Sequence, residues 1–276
     1  MNFLRFLAIS TLVLGLTVIV NAQNVTRTEK LFSSGPNLFE STTETAAPQA
    51  DPDKWQFQLT PYLWIAGING RAGIGNLAVD VDAGITDSDV DLNFGLMGTF
   101  EARKNRLIIL TDFQYSNLGT DRATPRGLLF SGASADFKTF VLDPEVGYRI
   151  VDNAEKGASV DVLAGIRYWH LKTDLALNPG LLSPITASRS RGWVDAVAGV
   201  RGKTHLTPRI FLTGKADLGG GGSNFSYQLF GGVGVLVGKR YALIAGYRDL
   251  DVNYNKDGFL FDTALHGPIL GFGIKF

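Results

Sequence analysis

The side chains best suited to acid-base chemistry in this sequence are its three histidines, His170, His205 and His266. A histidine base needs a carboxylate to orient it, and Asp174 and Asp262, four residues from His170 and His266, are the candidate partners. Neither pair comes with a serine in a nucleophile motif, and the chain has no cysteine to act as thiolate or zinc ligand. The expectation is therefore that there are no catalytic residues, no metal and no cofactor. His205 reads as a solvated turn residue. The run "GGGGSNF" at 219 to 225 invites a phosphate-loop reading, but no helix pattern follows and the Gly-Lys-Ser/Thr signature is missing, so it reads as a tight turn. The acidic stretch "DVDAGITDSDVD" lacks the glycine and distal glutamate of a calcium loop and reads as a wet loop.

A larger constellation of charges recurs at every second position. Glu101 and Arg103 stand together in "FEARKNR", followed by Arg106 and Asp112. Asp143, Glu145 and Arg149 repeat the spacing, as do Asp161 and Arg167. Asp195, Arg201 and Lys203 follow, and then Lys215 and Asp217. Both signs alternate along the chain, so on one wall such groups can pair between neighbouring strands. Lining an open path, Arg103, Arg149, Arg167 and Arg201 would favour anions.

The elements that carry these charges are extended. In a strand successive side chains point to opposite faces, and here each polar stripe is backed by an apolar one. Trp55, Phe57, Leu59, Leu63 and Ile65 oppose Gln56, Gln58, Thr60 and Tyr62, and Phe140, Leu142, Val146 and Tyr148 oppose the Asp143 set. Counting such segments predicts strands near 55–66, 91–103, 106–118, 135–151, 158–174, 189–204, 208–219, 223–238, 240–254 and 259–276. In the ninth segment the parity flips near Arg248-Asp249, which predicts a bulge or the end of the covered zone. "GINGRAGIGNLAVDVD" reads as a further hairpin outside the membrane, so twelve strands remain open beside ten, with eight as a separate alternative. "TPRG" at 124 to 127 and "NPGLLSP" at 178 to 184 read as loops, because proline cannot donate to a ladder.

Alternation does not say which face is wet. The segments are about 11 to 18 residues long, against about 5 to 6 for soluble strands and about 9 to 11 for a tilted spanning strand, and this favours lipid on the apolar side. Aromatic residues near segment ends suit interfacial girdles. Short connections alternate with longer ones, as in a bacterial outer-membrane barrel. The 26 basic and 26 acidic residues cancel, which argues against a nucleic-acid partner. Residues 1–22 read as a Sec signal peptide, with Arg5 before an apolar stretch and Val20-Asn21-Ala22 at the cleavage site. Residues 23–54, rich in Thr, Ser, Asn, Ala and Pro, read as a flexible periplasmic leader, and 55–276 as the barrel.

The signal peptide, the repeated amphipathic strands and the terminal "GFGIKF" resemble the outer-membrane β-barrel proteins of Gram-negative bacteria. "PYLWIAGINGRAG", "FEARKNR", "YRDLDVNY" and "HGPILGFGIKF" resemble a group of small outer-membrane barrels without an assigned activity. The resemblance covers roughly 55 to 276. It implies that Phe272, Ile274 and Phe276 form the signal read by the barrel-assembly machinery, and that the partners are outer-membrane lipid and lipopolysaccharide. Barrel enzymes such as omptin proteases and the outer-membrane phospholipase carry their sites near the long-loop ends, where His170 and His266 fall, but their Asp-Asp and His-Ser patterns are not evident here. The resulting expectation is an all-β, closed, antiparallel up-and-down barrel of about ten strands. Its role is structural or interactive and its polar lumen is narrow or plugged, with a small porin-like channel as the alternative, an outer-membrane hydrolase further behind, and the oligomeric state open.

Overall fold

The computed structural model describes residues 53–74, 77–83, 91–123, 130–155, 157–179 and 185–276. The expected signal peptide, nearly all of the leader, the "TPRG" loop and most of the acidic stretch lie outside the described residues.

Among the described residues twelve strands form, and ten of them close a ring. They are β1 (Gln56–Trp64), β4 (Asp91–Lys104), β5 (Leu107–Ala123), β6 (Phe130–Asn153), β7 (Ala158–Pro179), β8 (Ile185–His205), β9 (Ile210–Gly221), β10 (Phe225–Val237), β11 (Tyr241–Lys256) and β12 (Phe259–Lys275). Each pairs antiparallel with its neighbour, and β1 returns to β12 through Gln58 opposite Lys275 and Trp64 opposite Ile269. The ring leaves no free edge along the paired length of its first and last strands.

The remaining two strands, β2 (Gly67–Ile74) and β3 (Leu77–Ala83), are the expected extra hairpin. β2 carries on from β1 along β12, in the same register, past an interruption at Ile65-Ala66. There the Gly267 backbone comes so close that a Cβ on it would lie 1.9 Å from the Ile65 carbonyl oxygen. Glycine is what lets the strand break and resume.

Strands β6, β7 and β8 run 24, 22 and 21 residues, longer than the alternation suggests. Much of what reads as loop at 119–134 and 175–188 is strand continuing past the ring, and Asn178 and Pro179 close β7 rather than lying in a loop. At the end holding Gln56 and Lys275, here the near end, connections are short. The β4–β5 turn places Asn105 at φ 54°. At the far end β11 and β12 are joined by Asp257 and Gly258, at φ 52° and 70°, a two-residue turn with both residues left-handed that matches the twist of the flanking strands.

The two faces of the wall are inverted relative to a soluble barrel. Val146, Ile150, Ile166, Val200, Leu218, Leu243 and Leu270 stand exposed on the outside, while Asp143, Asp161, Arg167, Asp195 and Asp217 are almost wholly buried inside. Tyr148, Tyr241, Tyr247 and Phe276 add exposed aromatic rings to the outer face.

Candidate functional site

The barrel interior concentrates the chemistry, and its residues fall into levels from near to far end. Nearest the mouth, Arg149 on β6 donates from Nε to Asp161 Oδ1 on β7 at 2.8 Å. Arg201 on β8 donates to the other oxygen of Asp161 at 2.9 Å, and from Nη1 to Glu101 Oε2 on β4 at 2.7 Å.

One level farther in, Arg167 donates from Nε to both oxygens of Asp143, at 2.9 and 3.0 Å, and from Nη2 to Asp217 at 2.9 Å. Lys215 bonds Glu145 at 2.6 Å and lies 3.3 Å from Asp217. The backbone makes room for these groups: a Cβ on Gly165, beside Arg167 on the inner stripe, would meet the Pro144 carbonyl oxygen at 2.1 Å.

The third level is built around Arg248. Its guanidinium donates from Nη2 to Asp112, from Nη1 to the Tyr62 hydroxyl at 2.7 Å and from Nε to Gln228 Oε1 at 3.0 Å. Tyr62 in turn donates to Asp112 at 2.6 Å, and Gln228 to Asp217 at 3.3 Å, which ties this level to the one below. Beside these levels, Asp195 accepts from the Ser223 backbone N–H and, at 2.8 Å, from its hydroxyl, so the glycine turn at 219–222 is anchored inward by a buried carboxylate.

Above Arg248 the interior changes character. Its guanidinium carbon sits 5.2 Å from the centre of the Trp64 ring. Trp64, Val141, Trp169, Leu171, Trp193, Leu250, Val252, Tyr254, Phe259 and Ile269 then form one buried cluster across the lumen. Trp169 and Trp193 stack at 5.6 Å, Trp193 and Tyr254 at 4.2 Å, and Phe259 meets Tyr254 edge-on at 6.0 Å. A cavity of about 150 Å³ remains below this cluster, bounded by Tyr62, Glu101, Arg201, Lys215, Arg248 and Ile269 among others.

Three sequence expectations need correction. Arg106 lies in the exposed β4–β5 turn, outside the wall, because the hairpin closes on Asn105 and Arg106. The parity flip near Arg248 is not a bulge: pairing of β11 with β10 and β12 is continuous, and Arg248, Leu250, Val252 and Tyr254 all remain on the inner stripe. The stripe turns from small and polar to apolar because it fills the lumen. His205 is the last residue of β8 and half-buried, its Nδ1 lying 3.0 Å from the Gly157 carbonyl oxygen.

The histidine pairs do not assemble. His170 and His266 sit on the outer stripes of β7 and β12. Each candidate carboxylate is four residues along the same strand, about 13 Å away at the usual rise. Asp174 is occupied by the Ser188 hydroxyl at 2.5 Å and Lys172 at 2.9 Å. Among the described residues no three metal-binding side chains come together. Lys203 and Arg103 lie half-buried at the near mouth, while Phe272, Ile274 and Phe276 follow the outer stripe of β12, with Phe276 stacked 5.9 Å from Phe57.

Sequence reading set Tyr62 and Gln228 on polar stripes without giving them a role, and missed Arg248 and Ser223. Arg248 keeps the even parity of Ala242, Ile244 and Gly246, and that parity was the available signal.

The chain is a ten-stranded antiparallel β-barrel. No family model and no curated relative matches it. Among solved structures it is similar to the outer-membrane protease OmpT of Escherichia coli, at 10% identity and TM-score 0.47, over 82% of this chain and 97% of that one. It is similar to the translocator domain of the autotransporter NalP from Neisseria meningitidis at 14% identity and TM-score 0.42, over 81% and 89%. A third likeness is to Ail, the attachment invasion locus protein of Yersinia pestis, at 15% identity and TM-score 0.36, over 80% and 98%.

Proposed function

We propose that this protein is an integral outer-membrane barrel with a structural or interaction role, whose filled lumen does not conduct. The observation that carries the membrane reading is the inversion of the wall. Burying Arg167 and Asp143 completely while leaving Val146 and Leu270 more than half exposed is unfavourable in water. It becomes favourable once lipid covers the outside, because a closed barrel satisfies every wall hydrogen bond without water. The near end, which holds both ends of the ring, faces the periplasm in this reading.

The lumen reading follows from two barriers in series. Ion pairs bridge strands that are not neighbours, and the aromatic cluster fills the section beyond them. Arg149, Arg167 and Arg201 are each engaged by carboxylates, so they are not free to select anions. The cavity of about 150 Å³ favours a small channel as the second reading, since it leaves lumen volume unfilled below the cluster.

Phe272, Ile274 and Phe276, ending β12 on the lipid side, supply the terminus that assembly machinery would read, and the far-end loops supply the surface for lipopolysaccharide or a partner. No catalytic role is proposed.

Heat-modifiable gel mobility of the membrane-extracted protein tests the closed barrel in lipid; recovery as a detergent-independent soluble monomer would sink it. Planar-bilayer recording tests the lumen. Silence supports the filled interior, and steady single-channel steps support the channel.

A further inference from the structure

Five inward cations of the lumen each hold a carboxylate, namely Arg149, Arg167, Arg201, Lys215 and Arg248. Three others at the near mouth do not. Among the described residues, no carboxylate forms an ion pair with Arg103, Lys203 or Lys275.

Their direct contacts are neutral instead. Arg103 donates from Nη2 to Gln56 Oε1 at 2.6 Å, and Lys203 Nζ stands 4.1 Å over the Phe211 ring. Lys275 is paired in register with Gln58. Strand pairing brings two of them together: β1 sets Gln56 opposite Arg103 on one side and Gln58 opposite Lys275 on the other. Lys203 faces them from the opposite wall: it lies two residues beyond Arg201 on β8, as Arg103 lies two beyond Glu101 on β4, and the 2.7 Å Arg201–Glu101 bond spans the lumen between those strands. The nearby acids are engaged, Glu101 by Arg201 and Asp161 by both Arg149 and Arg201. Asp152 stands at the rim, 3.7 Å from Arg149.

Three like charges gathered at the mouth, Arg103 and Lys203 half-buried and Lys275 exposed at the rim, repel one another, and none of them holds a carboxylate as the deeper cations do. We propose that the near mouth is a binding site for a small soluble oxyanion of the phosphate class, taken up from the compartment the near end faces. Three positive charges suit a multiply charged oxyanion. The planar guanidinium of Arg103 offers a two-pronged donor, and the lysines add point charges that follow the ligand. Glu101 stops an anion from passing deeper. The inference stands on the inner faces alone, so binding is expected in detergent whether or not the barrel conducts.

The test is titration of the refolded full chain, in a phosphate-free non-ionic detergent, with inorganic phosphate, followed by calorimetry and by ³¹P line broadening. Saturable binding of one phosphate per chain is expected, absent with chloride at equal ionic strength. Lys203→Gln with Lys275→Gln is expected to weaken it at least about tenfold, the factor that 1.4 kcal/mol represents. Arg103→Lys is expected to weaken it less, because charge is kept while the fork is lost. Heat-modifiable mobility of each variant shows that the ring has closed. Phosphate indistinguishable from chloride, or unchanged affinity in a closed Arg103→Gln, Lys203→Gln, Lys275→Gln triple variant, overturns the proposal. Binding of a short-chain phosphatidate but not of inorganic phosphate overturns its soluble form and points to a lipid headgroup.

Discussion

The two halves of the lumen solve the same problem by opposite means. Toward the near end the interior is filled with ion pairs that span the lumen, such as Arg201 to Glu101 and Arg248 to Asp112, separated by 100 and 136 residues in sequence. Toward the far end it is filled with stacked rings. Charge pairing fixes which side chain meets which, because a buried ion without its partner is prohibitively costly, whereas ring packing fixes only how much volume is occupied. The contrast extends to satisfaction. It does so only in part: Arg167 spends three donor contacts on two carboxylates, while the indole nitrogens of Trp64, Trp169 and Trp193 are buried without a protein acceptor, but Arg167 Nη1 and Glu145 Oε1 in the ionic half are left without a partner too. The lattice therefore sets register and the aromatic half seals.

The sharpest way to break this contrast is to remove one member of the lattice. Arg167→Ala leaves Asp143 and Asp217 buried without their main partner, and the expected loss is about 3 to 5 kcal/mol in urea unfolding from lipid vesicles, enough to reduce the closed form on a gel. The triple change Arg167→Met, Asp143→Leu, Asp217→Leu is expected to cost less than Arg167→Ala alone, because no charge is stranded. A larger loss in the triple variant would show that the lattice is more than charge matching.

The aromatic half is expected to give way differently. Trp169→Ala is predicted to cost about 3 to 5 kcal/mol at most, less if neighbouring rings collapse into the space. Combined with Trp193→Ala and Tyr254→Ala, it is predicted to turn a silent barrel into a conducting one in planar bilayers. Persistent silence would mean that the ion-pair levels close the lumen unaided.

On the outer face, Ile166→Arg is predicted to cost about 2 to 4 kcal/mol in lipid if this position lies near the midplane. An unchanged midpoint would mean that lipid does not cover it. The smallest effect is expected for His170→Ala and His266→Ala. Both stand on the outer stripes without an orienting carboxylate, and each is predicted to shift stability by no more than about 0.5 kcal/mol and to leave any hydrolysis background unchanged.

Much of the wall was legible because a strand's side-chain period is two, so Asp143, Glu145 and Arg149 announce their common face whatever surrounds them. The β2–β3 hairpin was legible from its own alternation. Arg248 was not, because reading along β11 a change from small to apolar inner residues looks the same as a change of face. Only pairing with β10 and β12 shows that the register never slips. Arg106 misled for the opposite reason: one residue beyond the strand end, its parity no longer means anything.

By itself the sequence determined the alternation, the ring of about ten strands and the segregation of charge from hydrocarbon, all local consequences of backbone geometry. Closure decided the rest. Which arginine meets which carboxylate, where the lumen turns from ionic to aromatic, and that three cations share the near mouth depend on which strands face one another, up to 100 and 136 residues apart for Arg201 with Glu101 and Arg248 with Asp112, and only the curvature of a closed sheet sets those strands face to face.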